Sequence, residues 1–177
     1  LAEIESGKIP PLADDELAAD MYELVCKLLR KARYTHYEIS NFARPGYESK
    51  HNLSYWRSEP YLAIGTSASG WLPPWRYDNP ASIRKHQNNI RKQVLMPGKK
   101  LRRGKAEEED YLMMGLRLTK GINRDDFKRR FGRDVVDGKH EVMAKLLFFE
   151  LIELDDNWLR LRENAMFISN VVIGELL

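Results

Sequence analysis

One short stretch of the chain carries the residue types of a metal-binding site. His51 and Asn52 are followed by Tyr55 and Trp56, so that one imidazole and two aromatic rings lie close together in the sequence. A neutral imidazole nitrogen is a common axial ligand of iron, and aromatic side chains suit a flat apolar ligand. The pattern could serve an iron-bearing planar cofactor with His51 as the metal ligand. From the residues alone we favour a structural role, in which His51 and Asn52 hydrogen-bond a loop and both rings fill a core.

A second segment is built of small residues. Gly65-Thr66-Ser67-Ala68-Ser69-Gly70 follows a predicted strand at 61–64. Small side chains let a ligand approach the backbone amides closely. The segment could therefore contact an adenosyl or carboxylate group, and a plain turn is the alternative. No catalytic residue is predicted, because Glu38 has no second acid or base fixed beside it.

The composition excludes several classes of protein. The 177 residues are 43% hydrophobic and 31% charged, which is a globular composition, and the net charge of +3 does not by itself imply nucleic acid. A single cysteine, Cys26, excludes an internal disulfide framework and any metal cluster held by several thiolates of this chain. No apolar run approaches the roughly 20 residues of a membrane-spanning helix. The chain begins Leu1-Ala2-Glu3 without methionine, and we expect it to start within a helix of a longer protein.

In the first part of the chain, the predicted elements that position these residues alternate between helix and strand. An amphipathic helix is predicted over 14–31 after Pro10-Pro11, with Asp14 as its cap and one apolar face. A strand follows at 34–39, and this order is typical of units with parallel strands. Residues 40–56 are predicted as a loop with at most one helical turn. An edge hairpin is expected around Pro73-Pro74, and then a helix capped by Asn79 with Pro80 at its first position.

The last third of the sequence predicts a separate domain. Three helices over 107–118, 124–131 and 135–150 precede a hairpin over 151–161 and a closing helix, which is a winged-helix order. The charges from 84 to 105 are all basic, which fits either a contact with phosphate or carboxylate groups or, as we favour, a solvated linker. We therefore expect domains at 1–95 and 106–177 joined by a basic linker at 96–105. His36, His86 and His140 lack ligand-like spacing and are interpreted as structural.

The sequence resembles a known family over essentially its whole length. The resemblance rests on an ordered series of motifs: Tyr37-Glu38-Ile39-Ser40-Asn41-Phe42-Ala43, then Pro45-Gly46, then His51-Asn52 and Tyr55-Trp56, then Tyr61-Leu62, Ile64-Gly65 and Ala68. This series is similar to the HemW-like and oxygen-independent coproporphyrinogen III oxidase-like proteins of the radical S-adenosylmethionine (SAM) superfamily. The resemblance implies an α/β fold: the C-terminal end of a partial (β/α) barrel, followed by a mostly helical, winged-helix-like domain.

The resemblance also implies cofactors and partners. His51 is the implied haem ligand, with Asn52, Tyr55 and Trp56 around it, and Gly65, Ser67, Ala68 and Ser69 match a segment that lines the SAM site. The intact parent is expected to hold a [4Fe–4S] cluster on cysteines that this chain lacks, so the chain alone is expected to be inactive. Its implied partners are haem or porphyrin, the N-terminal radical SAM half and haem-accepting apoproteins, in the cytoplasm.

Two activities are open for the parent, and one unrelated function competes with both. An oxidase would use a 5′-deoxyadenosyl radical to decarboxylate propionate side chains, whereas a HemW-like protein would bind haem and pass it on. The competing hypothesis is a nucleic-acid-binding winged helix on a small α/β domain, which the basic linker favours. The helix at 135–150 argues against it, because its charges are mixed.

Overall fold

The structure is a computed structural model that describes residues 14–177. The predicted helical start at Leu1 and the break at Pro10-Pro11 lie outside the described residues. The chain divides into two compact units, Leu1–Glu48 and Ser49–Leu177. The predicted boundary at 96–105 stays a prediction.

The described part of the first unit is one helix and one hairpin. Helix α1 spans Asp15–Lys31, and the carboxylate of Asp14 caps it by accepting a hydrogen bond from the backbone N–H of Leu17 at 2.8 Å. Cys26 is buried. The apolar face predicted for α1 is only partly covered in the described residues: five of its side chains are about half exposed, namely Leu17, Met21, Leu24, Val25 and Leu28.

The strand after α1 pairs with its own continuation. Strand β1 (Thr35–Glu38) and strand β2 (Asn41–Ala43) form an antiparallel hairpin. The side-chain amide of Asn41 donates to the fully buried carboxylate of Glu38, which closes the turn between them. All strand pairs in residues 14–177 are antiparallel, so the expected parallel pairing is not found there. The tight turn explains this, because it returns the chain directly beside β1.

The second unit begins with helix α2 (Lys50–Trp56) and a three-stranded sheet. Strand β3 (Ser69–Leu72) and strand β4 (Trp75–Asp78) form the hairpin predicted around Pro73-Pro74, and β5 (Lys100–Leu101) pairs with β4. The strand predicted at 61–64 is reduced to a single bridge between Tyr61 and Trp71. Its residues lie beside β3 only at Tyr61, so no ladder forms.

Helix α3 spans Ile83–Arg91, and the predicted cap is wrong. The hydroxyl of Ser82 accepts from the backbone N–H of Lys85, so Ser82 caps the helix. Asn79 lies three residues earlier and is buried. Its side-chain amide donates to the carbonyl oxygen of Gly65 and is therefore not available to cap α3. Pro80 therefore precedes the helix.

The rest of the second unit has the helix and strand order expected for residues 106–177. Its helices are α4 (Lys105–Gly115), α5 (Arg124–Phe131), α6 (His140–Phe148) and α7 (Ser169–Leu176), and its sheet, in the order β6-β8-β7, contains β6 (Ile122–Asn123), β7 (Ile152–Leu154) and β8 (Trp158–Leu161). Asn123 caps α5 through its side chain, and Gly132 ends the helix with a φ of 74°. The core is closely packed: the most deeply buried side chains include Leu112, Leu116, Phe127, Leu159 and Leu176.

Two helices of this region bury only part of their apolar residues. In α6, Met143 and Leu146 are buried, whereas Leu147 is 40% exposed. The closing helix begins at Ser169, after a short 3-10 turn at Glu163–Ala165. That break changes which face is covered, so Ile168 and Val171 are exposed while Val172 and Ile173 are buried.

Arginine–carboxylate pairs tie the surface of this region together. Arg102 forms a bidentate pair with Asp110 at 2.7 and 2.8 Å, and Arg124 does the same with Asp134. Hydrogen bonding from Arg124 holds the pKa of Asp134 well below its usual range. Within residues 14–177, no helix combines the length and the apolar character that a membrane span requires.

Candidate functional site

The histidine–aromatic motif lies on a helix rather than in the predicted loop. The hydroxyl of Ser49 accepts from the backbone N–H of Asn52 at 3.3 Å and caps α2. The sequence offered this signal, since serine is a favoured cap three residues before a bonded amide. Because residues four apart lie on the same helix face, His51 and Tyr55 are neighbours.

A ladder of three rings, formed by His51, Tyr55 and Tyr61, runs from α2 to the next segment. The ring centroids of His51 and Tyr55 are 4.7 Å apart with an interplanar angle of 77°, and those of Tyr55 and Tyr61 are 4.5 Å apart at 90°. Edge-to-face pairs of this kind contribute about 0.5–1.5 kcal/mol beyond burial. Burial raises the pKa of Tyr61 above its ordinary value, as expected for a phenol packed between other side chains. The ladder therefore fixes the orientation of an imidazole at its outer end.

His51 is accessible at that outer end. Its side chain is exposed, and neither ring nitrogen has a hydrogen-bond partner among residues 14–177. The alternative in which His51 supports the loop by hydrogen bonds is therefore not what the structure has. A nitrogen lone pair without a protein partner is free to ligate a metal.

The two other residues of the motif, Trp56 and Asn52, are half-buried. Trp56 is half-buried, and the guanidinium of Arg117 lies 4.6 Å from its ring centroid. The indole Nε1 is buried and has no hydrogen-bond partner within the described residues. Asn52 is half-buried and donates its backbone N–H to the cap. Trp56 thus packs against the helical region, while His51 is the exposed member of the motif.

The small-residue segment is held by two buried side chains from β4 and the residue after it. The amide nitrogen of Asn79 donates to the carbonyl oxygens of Gly65 at 2.8 Å and Ala63 at 3.2 Å. The hydroxyl of Tyr77 accepts from the backbone N–H of Ala63 at 3.0 Å. These bonds give the segment a defined backbone although it forms no ladder.

Within this segment the four predicted contact residues separate into two groups. Gly65 has a φ of 92° and open space where a Cβ would be, and Ser67 is exposed with a φ of 59°. Ala68 is half-buried and its carbonyl accepts from the backbone of Asn79. Ser69 lies in β3, where its hydroxyl donates to Asp78. Gly65, Ser67 and Ser69 are therefore exposed, but the hydroxyl of Ser69 is already engaged by Asp78.

A cavity of about 490 Å³ adjoins Gly65. It is bounded by the 63–65 segment, by Asn79 and by one face of α3 with the residues that follow the helix. His86 lies on this face. The sequence interpretation missed both the role of Asn79 and the position of His86, although the spacing of Ile83, His86 and Ile90 at three and four residues places them in one stripe.

The α2 motif offers a single imidazole, that of His51, and the cavity offers a single imidazole, that of His86. Among the residues that the structure describes, no group of three or more histidine, cysteine, aspartate or glutamate side chains could hold a metal ion. A metal bound at His51 must therefore bring most of its other ligands, as iron does in a porphyrin.

The chain is similar to known proteins along its length. Residues 106–168 match the model of the HemN C-terminal domain. The heme chaperone HemW of Lactococcus lactis is 31% identical over 94% of this chain and 44% of its own length, and that of Bacillus subtilis is 32% identical over 96% and 44%. The mouse radical S-adenosyl methionine domain-containing protein 1, mitochondrial, is 33% identical over 99% of this chain and 42% of its own length.

A solved structure shows the same fold. Coproporphyrinogen III oxidase (HemN) from Escherichia coli, described as a radical SAM enzyme, superposes with a TM-score of 0.70 at 12% identity, over 93% of this chain and 42% of that one. The present chain thus spans less than half the length of the curated relatives that it matches.

Proposed function

The chain belongs to the HemW/HemN-like radical SAM family, as its C-terminal portion, and from this premise we propose that it binds haem at the His51 motif and contributes to a SAM pocket. The single observation that carries the proposal is the exposed imidazole of His51, held edge-on by Tyr55 and free of hydrogen bonds within the described residues. Haem in this role is cargo that the protein passes on, not a resident cofactor.

The geometry at α2 fits an iron porphyrin. The exposed imidazole of His51 would hold the iron, and Tyr55, whose ring centroid lies 4.7 Å from that of His51, would lie beside the bound haem. The ring of Tyr61 packs against Tyr55, and Tyr55 packs against His51. The imidazole is therefore already oriented in the absence of haem. Pre-orientation lowers the entropic cost of binding. His51 is the proposed metal ligand, and Asn52, Tyr55 and Trp56 are its proposed surroundings.

The Gly65 segment suits a contact with SAM. Gly65 leaves its backbone open, and Thr66 and Ser67 expose hydroxyl groups beside it. We assign this segment, with Gly65, Ser67, Ala68 and Ser69, to one wall of a SAM pocket in the intact protein. There SAM and a [4Fe–4S] cluster would supply radical chemistry, but the cluster needs ligands beyond the single Cys26 of this chain.

Haem handling is the activity that we propose for the intact protein, in preference to decarboxylation of a porphyrinogen. The relatives that share 31–32% identity are named heme chaperones, whereas the named oxidase shares 12%. Haem-accepting apoproteins and an N-terminal radical SAM half are then the proposed partners. A cytoplasmic location is proposed on the same ground, since both of these relatives are bacterial.

Haem titration of the intact protein tests the proposal. We expect bound haem to show a Soret band shifted from that of free haem, and His51→Ala to weaken binding by at least about tenfold, or about 1.4 kcal/mol. His140→Ala is the matched control, because His140 is also an exposed histidine of a helix. If the spectrum and affinity of His51→Ala equal those of the control, His51 is not the ligand.

The nucleic-acid hypothesis is the less favoured function. Several arginines of the C-terminal region are paired with carboxylates, among them Arg102, Arg124 and Arg133, which leaves less unpaired positive charge for phosphates. Retention of duplex DNA at low salt with a steep loss as salt rises would favour it over haem binding.

A further inference from the structure

Two buried nitrogen donors meet at the end of α2 without an acceptor among the described residues. They are the indole Nε1 of Trp56, the last residue of α2, and the guanidinium Nε of Arg117. The central carbon of the guanidinium lies 4.6 Å from the centroid of the Trp56 ring, so both donors belong to one contact. Buried N–H groups in folded proteins are nearly always hydrogen-bonded, because leaving one unpaired is costly. Two such donors at one contact point to an acceptor that is not among residues 14–177.

Arg117 also differs from the other arginines of the C-terminal region. Six arginines between residues 106 and 177 are paired with carboxylates: Arg124, Arg129, Arg130, Arg133, Arg160 and Arg162. Arg117 is the seventh, and no carboxylate of the described residues forms an ion pair with it. A guanidinium that is always charged is thus held against an aromatic ring without an anionic partner in this part of the chain.

The unbonded edge of Arg117 is the edge with which other arginines of this chain bind carboxylates. Arg102, Arg124 and Arg133 each donate from both Nε and Nη2 to one carboxylate. This fork of two parallel donors matches the two oxygens of a carboxylate. The face of the Trp56 ring supports the guanidinium of Arg117, which reduces the entropy lost on binding. Arg117 therefore has the donors and the support of a carboxylate site.

The position of this contact suits a carboxylate at the rim of a haem that His51 ligates. His51 and Trp56 are five residues apart on α2, which corresponds to an axial rise of about 7.5 Å and a rotation of about 140° around the helix. A haem is wider than this rise and carries its two propionate carboxylates on flexible side chains at its rim. The rim, rather than the face of the porphyrin, would therefore reach Arg117.

We infer that Arg117, supported by the ring of Trp56, binds a propionate carboxylate of haem. The inference rests on the proposed haem-binding function and adds a residue to that site. His51 holds the iron, whereas Arg117 fixes the porphyrin at its rim, with the indole Nε1 of Trp56 as a further donor. A site built to hydrogen-bond a polar group rejects an analogue in which that group is blocked. Arg117 therefore selects porphyrins with free carboxylates.

Titration of the intact protein with ferric haem and with its dimethyl ester tests this inference. The ester keeps the iron and the porphyrin but has no free carboxylate. We expect the wild type to prefer haem by at least about tenfold, because a charge-assisted hydrogen bond is lost with the ester. Arg117→Gln should bind both ligands about equally, with the Soret band that His51 ligation gives in the wild type.

Two further variants make the result specific to the guanidinium fork. Arg117→Lys keeps the charge but not the fork, so it should retain only part of the preference for haem. Arg129→Gln is the control, because it removes the same charge from an exposed position of α5 and should keep the full preference. If the preference persists in Arg117→Gln as it does in this control, another residue binds the propionates and the inference is refuted.

The ester also separates this inference from the proposed function. If the wild type binds haem and the ester equally, Arg117 binds no propionate, although the proposed function survives. That comparison needs no variant, so it holds even if Arg117→Gln is unstable. If Arg117→Gln weakens the binding of SAM and leaves the preference for haem unchanged, the bound carboxylate is that of SAM and the assignment to haem is overturned. If neither haem nor the ester binds the wild type, the proposed function itself fails.

Discussion

Removal of the Asn79 amide should loosen the backbone from Ala63 to Gly65, which the side chain of Asn79 holds. Asn79→Ala deletes two hydrogen bonds, to the carbonyl oxygens of Ala63 and Gly65, from a residue that is 9% exposed. At about 1 kcal/mol per bond, the free energy of unfolding should fall by about 2 kcal/mol. For a chain of this size that corresponds to a fall in Tm of about 4–8 °C. The bond from the backbone N–H of Asn79 to Ala68 is unaffected by the substitution.

Urea and thermal denaturation measure the loss, and two variants make it interpretable. Asn88→Ala removes an exposed amide from α3 and should change the free energy of unfolding by less than about 0.5 kcal/mol. Asn79→Asp keeps the shape but not the donor, so it should cost at least as much as Asn79→Ala. Amide exchange at Ala63 should also be faster in both Asn79 variants. The reasoning is refuted if Asn79→Asp matches the wild type, since the donor would then contribute nothing.

Two further substitutions test the packing and the ion pairs. Gly70→Ala would place a Cβ 2.3–2.6 Å from side-chain atoms of buried Tyr77 and should lower the free energy of unfolding by about 1–3 kcal/mol. Gly174→Ala in α7 meets open space and should be neutral or slightly stabilising. Equal urea midpoints for the two variants would contradict this expectation. Asp134→Asn should lower stability at pH 7 by about 1.5–3 kcal/mol. Because Arg124 depresses the folded-state pKa of Asp134 below its usual 3.8, this contribution exists above about pH 4 and is lost as the pH falls further, so the two denaturation curves should converge in acid.

Local signals in the sequence predict the local structure well. Asp14, Asn123 and Gly132 carry out the capping roles that their types indicate, because a cap depends on atoms within a few residues. The hairpins around Pro73-Pro74 and at Asp155–Asn157 follow from strand alternation and turn residues in the same way. The relationship to HemW-like proteins is likewise evident from the ordered motifs.

The predictions that fail depend on contacts distant in the sequence. Asn79 has the composition of a helix cap, yet carbonyl groups 14 and 16 residues away take its side chain. The same long-range bonds hold Gly65, where the sequence suggests only a turn or a ligand contact. His86 and Ile64 likewise line one cavity although they come from different segments. The hydrophobic periodicity of a single helix or strand cannot predict such a contact between distant segments.

The ring ladder explains why the motif combines a histidine with aromatic residues at a spacing of four. The helix sets His51 above Tyr55, and Tyr61 then fixes Tyr55 from outside the helix. An imidazole on an isolated seven-residue helix would be poorly oriented, because so short a helix is marginal on its own. Packing of Trp56 against Arg117 ties the end of α2 to the helical region. The aromatic residues therefore serve orientation as much as contact with a ligand, and substitution of Tyr61 should weaken haem binding although Tyr61 need not touch the iron.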